Sequence, residues 1–150
     1  ARNVVKMKID TISVPRTNFR FSVSASAMKK IGDEAVRMMI DRTKKGIDID
    51  GMPFASYSPQ YIKYKGEAGR VTDPVNLQFN GEMHRSMVVV ATNNNANISY
   101  GDRQRALIAL YHQTGNGQPQ RKHFGFTSDQ ARRIMDMLTD AIRKAVKSDK

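Results

Sequence analysis

The chain has 150 residues, no cysteine, and 25 Lys and Arg against 14 Asp and Glu, a net charge of +11. That length suits one domain with its own core, the missing cysteines exclude disulfides and thiolate metal sites, nothing points to secretion, and no apolar run nears the roughly 18 residues of a membrane helix. The charge favours polyanions such as nucleic acid, an acidic protein surface or anionic lipid, yet the cations are scattered without a block of five, as on an ordinary solvated surface.

Residues 3–12 alternate, with Val5, Met7 and Ile9 on one side and Lys6, Lys8 and Asp10 on the other, which predicts a half-buried strand. Asp10 makes the stretch unlike a signal peptide, and Ala1 is expected to follow a removed initiator methionine. Pro15 breaks the strand, and Phe19, Phe21 and Val23 alternate again. A first helix is predicted at about 25–45, where Met28, Ile31, Ala35, Met38 and Met39 form an apolar stripe. Ser24 or Ser26 can cap it, Lys44 and Lys45 suit its negative end, and Gly46 can stop it. Its methionines read as core fillers rather than a binding groove.

Residues 46–76 form a long irregular stretch. Asp48, Asp50 and Gly51 resemble a calcium loop only faintly, because the remaining oxygen ligands and the closing glutamate are missing, so no metal is expected. Met52-Pro53-Phe54 is expected to plug onto the first helix, and Ser58-Pro59 to open a short helix carrying Tyr61, Ile62 and Tyr64. Leu77 to Arg85 suits a helical turn with Leu77 and Phe79 inward. Residues 86–101 read as a β-hairpin turning at Asn93-Asn94-Asn95. Asp102 caps a helix over about 103–113 that Gly115 ends.

Tyr111 to Thr127 then forms a polar loop with an aromatic return, and Tyr111, His112, Gln113, Arg121, Lys122, His123 and Phe124 are candidate contact residues for another protein. A buried Phe124 or Phe126 closing the loop is the plainer alternative. In the last helix Thr127 and Gln130 make a capping box and Phe126 can staple onto Ala131. Ala131, Ile134, Leu138, Ala141, Ile142 and Ala145 form its stripe, with Arg132–Asp136 and Asp140–Lys144 as i,i+4 pairs. The predicted class is α+β: one domain, a small antiparallel sheet packed against two long amphipathic helices.

No catalytic template fits. His84, His112 and His123 are far apart, and neither a phosphate loop nor a GxSxG elbow is present. A hydrolase would need two or more of those histidines and Asp102 to converge in one cleft. No catalytic residue, metal site or cofactor is assigned. Lys63, Lys65, Arg70, Arg103 and Arg105 are candidate DNA-facing cations. Together with Arg121 and Lys122, around Tyr61, Tyr64 and Phe124, some of them sketch an alternative: a non-specific nucleic-acid-binding module.

The ordered series over about 25–146 resembles the phage virion morphogenesis proteins, the Mu-like tail completion and neck family. A basic amphipathic helix ending at Gly46 precedes Asp50-Gly51-Met52-Pro53-Phe54, with Ser58-Pro59 and Lys63 to Lys65 behind it. Gly81, Met83 and Ser86 fit a "L-x-x-x-G-x-L-x-x-S" segment. His112-Gln113-Thr114-Gly115 is similar to the family's His-Gln-x-Gly ending, and Pro119 to Phe126 to its "P-x-R-x-F-F/L-G-L/F" run. Phe54 stands where tryptophan is frequent, residues 66–76 are glycine-rich and long, and residues 1–20 have no counterpart and suit a strand or arm. The resemblance implies a structural, non-enzymatic protein of the virion neck or tail end, made in the host cytoplasm. It implies a ring, commonly of six subunits, that meets other neck, tail-terminator or tail-tube proteins. DNA contact would be non-specific, and no membrane is involved.

Overall fold

The computed structural model describes residues 10–14, 22–78 and 81–148. Strand β1 (Asp10–Ser13) is followed by helices α1 (Ala25–Lys44), α2 (Pro59–Glu67) and α3 (Glu82–Arg85). Strands β2 (Met87–Thr92) and β3 (Asn95–Tyr100) form the hairpin, and helices α4 (Arg103–Thr114) and α5 (Ser128–Ser148) complete the order. The class is α+β, and the sheet is antiparallel in the order β1-β3-β2, with Ile12 opposite Ala96 and Val89 opposite Ile98.

The helix ends follow from the polar residues beside them. Ser24 Oγ accepts the N–H of Ala27 at 3.1 Å, Ser58 Oγ that of Tyr61 at 3.2 Å, and an Asp102 carboxylate oxygen that of Arg105 at 3.0 Å. Each satisfies an N–H that the first helical turn leaves without a partner. Gly46 and Gly115, with φ of 79° and 77°, stop α1 and α4 in the left-handed region. The Thr127–Gln130 box forms as read: Thr127 N–H donates to Gln130 Oε1 at 3.1 Å and Gln130 N–H to Thr127 Oγ1 at 3.2 Å. On α5, Lys144 pairs with Asp140 at 3.1 Å, but Arg132 reaches back to Asp129 at 3.7 Å rather than forward to Asp136.

One face of the sheet carries the main core. Met28, Ile31, Ala35, Met38 and Met39 of α1 and Ile134 and Leu138 of α5 bury against Ile12, Ala96, Ile98 and Phe124. Each buried Met, Ile or Leu contributes about 1.5–3 kcal/mol. In β1 the buried position is Ile12, while Thr11 and Ser13 face out, so the odd-inward alternation expected for 3–12 is not the phase of the described strand. Residues 3–9, Phe19, Phe21 and Phe79 lie outside the described residues. A second cluster gathers Phe54, Tyr57, Val75, Leu77, Met83 and Ala109. Of the Met52-Pro53-Phe54 plug expected on α1, only Phe54 is buried, and it packs in this second cluster, while Met52 turns to solvent and is 60% exposed.

Helix α1 approaches the sheet closely because residue 32 has no side chain. A Cβ at Gly32 would stand 2.5 Å from Val89 Cγ1 and 3.4 Å from Ala96 Cβ. Gly32→Val is expected to overpack this contact and cost about 1–3 kcal/mol, read as a lower urea midpoint at an unchanged slope. An unchanged midpoint would mean that α1 has room to move.

Candidate interaction site

The loop at 111–127 is built from the inside. Gln113 on α4 holds it: its Oε1 accepts the backbone N–H groups of His123 at 3.0 Å and Phe124 at 2.9 Å, and its Nε2 donates to Phe124 O at 3.3 Å. His123 is 1% exposed and its Nε2 donates to Ala109 O at 2.8 Å, which fixes that tautomer. Phe124 packs in the main core with its ring 5.6 Å from that of Tyr100. Arg121 is 3% exposed. Its Nε donates to Ala55 O and its Nη2 to Ser56 O, both at 2.9 Å, and its guanidinium lies 5.2 Å from the centroid of Tyr57. Of the seven candidate contact residues, the structure leaves Tyr111 and Lys122 exposed, holds His112 and Gln113 half-buried, and places Arg121, His123 and Phe124 inside the fold.

The candidate DNA-facing cations divide in the same way. Lys63, Arg70 and Arg103 keep their side chains at the surface. Arg105 is half-buried and forms an ion pair with Glu82. Lys65 is wholly buried, 0% exposed, with Nζ 3.3 Å from the Tyr57 hydroxyl and 3.1 Å from Asn76 Oδ1. Burial lowers the pKa of that ammonium, and it stands 4.6 Å over the Tyr57 ring. Tyr57 organises this corner, for its hydroxyl also accepts the N–H of Leu77 at 2.9 Å. That bond steadies Leu77 in a left-handed φ of 53°.

Sequence reasoning missed the most connected cation, Arg42 on the last turn of α1. It is buried, and its Nε donates to Ile47 O at 3.1 Å. Its Nη1 donates to Gly125 O at 2.8 Å and Gln130 Oε1 at 2.7 Å, and its Nη2 to His123 O. Burial pulls its pKa down to about 10, partly offset by Asp48, so the group stays charged near neutrality. The stripe spacing was the available signal: Arg42 follows Ala35, Met38 and Met39 at helical intervals and falls on the buried face.

The His112 and His123 rings meet edge to face at 6.3 Å between centroids. His112 Nδ1 faces Arg121 Nη1 at 3.4 Å, and His84 Nε2 faces Asn76 O at 3.1 Å. None of the three makes a hydrogen bond to a hydroxyl or carboxylate among the described residues, and Asp102 is occupied as the cap of α4. Asp48 Oδ1 accepts the N–H groups of Asp50 and Met52, each at 2.9 Å, so it shapes the 48–52 turn. Among the described residues no group of three or more His, Cys, Asp and Glu could hold a metal ion, and no helix is long and apolar enough to cross a membrane.

These imidazoles make the fold sensitive to acid. Burial pushes the pKa of His123 down to about 3 and, with Arg121 adding repulsion, that of His112 to about 4; it lowers that of His84 as well. In the unfolded chain each titrates near ~6.5. The unfolded state therefore takes up protons first, so this stability is full above about pH 6.5 and is lost as pH falls towards 4. The urea midpoint is expected to drop between pH 7 and pH 5. A flat profile over that window would mean that the rings are not held neutral.

No curated protein and no solved structure matches this chain. The model of the phage virion morphogenesis family matches residues 20–143, from the residues just before α1 into the last turns of α5. The match takes in α1 through β3, Arg42, Lys65, the Gln113-anchored loop and Arg121, and residues 1–19 lie outside it. The chain belongs to the phage virion morphogenesis family.

Proposed function

We propose that this chain is a structural protein of the phage neck or tail end, closing head-to-tail into a ring between head connector and tail tube around the DNA path. Membership of a virion morphogenesis family supports a part in building the virion. The ring rests on one observation, the open side of the sheet. Strands β1 and β2 are its edges, and the outward positions of the described strands are Thr11, Ser13, Val88, Val90, Thr92, Asn95, Asn97 and Ser99. On a chain of net charge +11, none of these carries a charge, and Val90 is 59% exposed. Edge strands are normally guarded by charge or proline; here an edge and an uncharged face stand ready to pair with a neighbour. A head-to-tail contact of this kind is heterologous and forms a ring when its rotation closes, six subunits being the number the family resemblance implies. Surface cations such as Lys63 and Arg103 would then hold DNA phosphates without reading sequence.

Light scattering and electron microscopy of the protein, alone and with the virion's tail-tube or terminator protein, test the reading. A closed ring is expected in at least one of these conditions. Val90→Glu is expected to prevent the ring while changing stability by no more than about 0.5 kcal/mol. The rival reading, a non-specific nucleic-acid module, loses Lys65 and Arg121 to the interior. A monomer that ignores tail proteins yet binds DNA with a steep salt dependence would establish it instead.

A further inference from the structure

A cleft of about 490 Å³ opens between α2, α3, α4 and the 117–121 turn. That volume lies in the range of ligand pockets. Tyr61, Leu77, Met83 and Ile108 line it with apolar surface, and Arg121 and His112 add polar groups. Glu82, the carboxylate in its wall, is engaged by Arg105. Arg121 is almost fully buried and forms no ion pair among the described residues. Two carbonyls and a long contact to His112 leave part of its donor fork without an acceptor. A desolvated guanidinium with no counter-charge is costly, and a carboxylate is the group its planar fork matches best. The net charge of +11 also selects for an acidic partner over a second copy of this chain.

We propose that this cleft takes an acidic peptide segment of a partner protein. An Asp or Glu carboxylate seats on Arg121, with His112 beside it, and a neighbouring apolar side chain lies against Tyr61, Met83 and Ile108. This deepens the assembly reading and rests on it only in that the partner is a protein.

The test is a magnetic resonance titration of the full chain at pH 7. The probes are the blocked peptide acetyl-Glu-Leu-Asp-Phe-amide and its counterpart acetyl-Gln-Leu-Asn-Phe-amide, followed through the Tyr57, Tyr61 and His112 ring signals. The acidic peptide is expected to shift these signals saturably and to bind at least tenfold more tightly than the amide form. Gln118→Glu, which sets a competing carboxylate at the rim of the cleft, is expected to weaken it several-fold at an unchanged melting temperature. Equal binding of the two peptides, no shifts at millimolar peptide, or shifts confined to other residues would overturn the proposal. So would inorganic sulfate producing the same shifts with no further effect of peptide, which would mark a site for a free anion. Ring formation is not read in this experiment, so its failure leaves the assembly reading standing, and a missing ring leaves the cleft untouched.

Discussion

Arg42→Ala is expected to lower stability by about 3–5 kcal/mol, because several buried acceptors lose their donor at once. Its guanidinium joins the end of α1 to Ile47, to the 123–125 return of the loop and to Gln130 in the first turn of α5. Truncation leaves those acceptors without a donor in a place water reaches poorly, and each orphaned buried acceptor costs about 1–3 kcal/mol. Gln130 would lose one of its anchors while its Nε2 still donates to Met38 O at 2.9 Å, so the α1–α5 junction loosens rather than dissolves. In a chain of this size each kcal/mol moves the melting temperature by roughly 2–4 °C, so a fall of about 6–20 °C is expected. Arg42→Lys should recover less than half of the loss, because one ammonium cannot span acceptors laid out for a planar fork. Arg37, exposed on α1 and paired with Glu34 and Asp41, is the control, and Arg37→Ala is expected to melt close to the parent. Thermal melts of the three variants decide the matter. An Arg42→Ala protein melting within 2 °C of the parent would mean that the junction is held by packing alone.

Elements whose causes are local were legible from sequence. The stripe of α1, the Ser58-Pro59 start of α2, the Asp102 cap, the Asn-rich hairpin turn and the Thr127–Gln130 box all depend on residues a few positions apart, and each appears where it was read, while of Ser24 and Ser26 it is Ser24 that caps α1. What escaped was polar and long-range. Lys65 reads as a solvated cation between two tyrosines because nothing nearby in sequence shows that Tyr57 and Asn76 will close over it. Arg121, His123 and Arg42 are buried for a similar reason: their acceptors lie in segments that only the fold brings together. Residue type alone predicts exposure for Lys and Arg, and it fails when the backbone supplies carbonyls in the interior. The phase of β1 was lost differently. Alternation read upstream of Asp10 does not carry through to the buried Ile12, and a one-residue shift exchanges the faces of a strand.

Phe124→Ala is expected to cost about 3–5 kcal/mol, the usual loss for a buried aromatic ring. Its magnitude separates two roles that sequence left open for the 111–127 loop. As a contact residue, Phe124 would be exposed in the free chain, and its loss would weaken assembly while sparing stability. The structure gives it 6% exposure, core neighbours, the Tyr100 ring at 5.6 Å and backbone bonds to Gln113 on both its N–H and its carbonyl. A cavity there would sit against the central strand through Tyr100, which pairs with Met87 of β2, in a close-packed core that can collapse little. Tyr111 and Lys122 are the contrast: both are exposed, and the Lys122 ammonium approaches Asp50 at 3.9 Å. Tyr111→Ala and Lys122→Ala are expected to leave stability within about 0.5 kcal/mol. Any effect they have would therefore appear in assembly. Urea denaturation and ring formation measured side by side on the three variants give a sharp outcome. A Phe124→Ala protein of parental stability that no longer assembles would move the ring of Phe124 from the core to the interface. The expected pattern, stability lost at Phe124 and kept at Tyr111 and Lys122, makes this loop a rigid support whose inward residues set where Tyr111 and Lys122 stand.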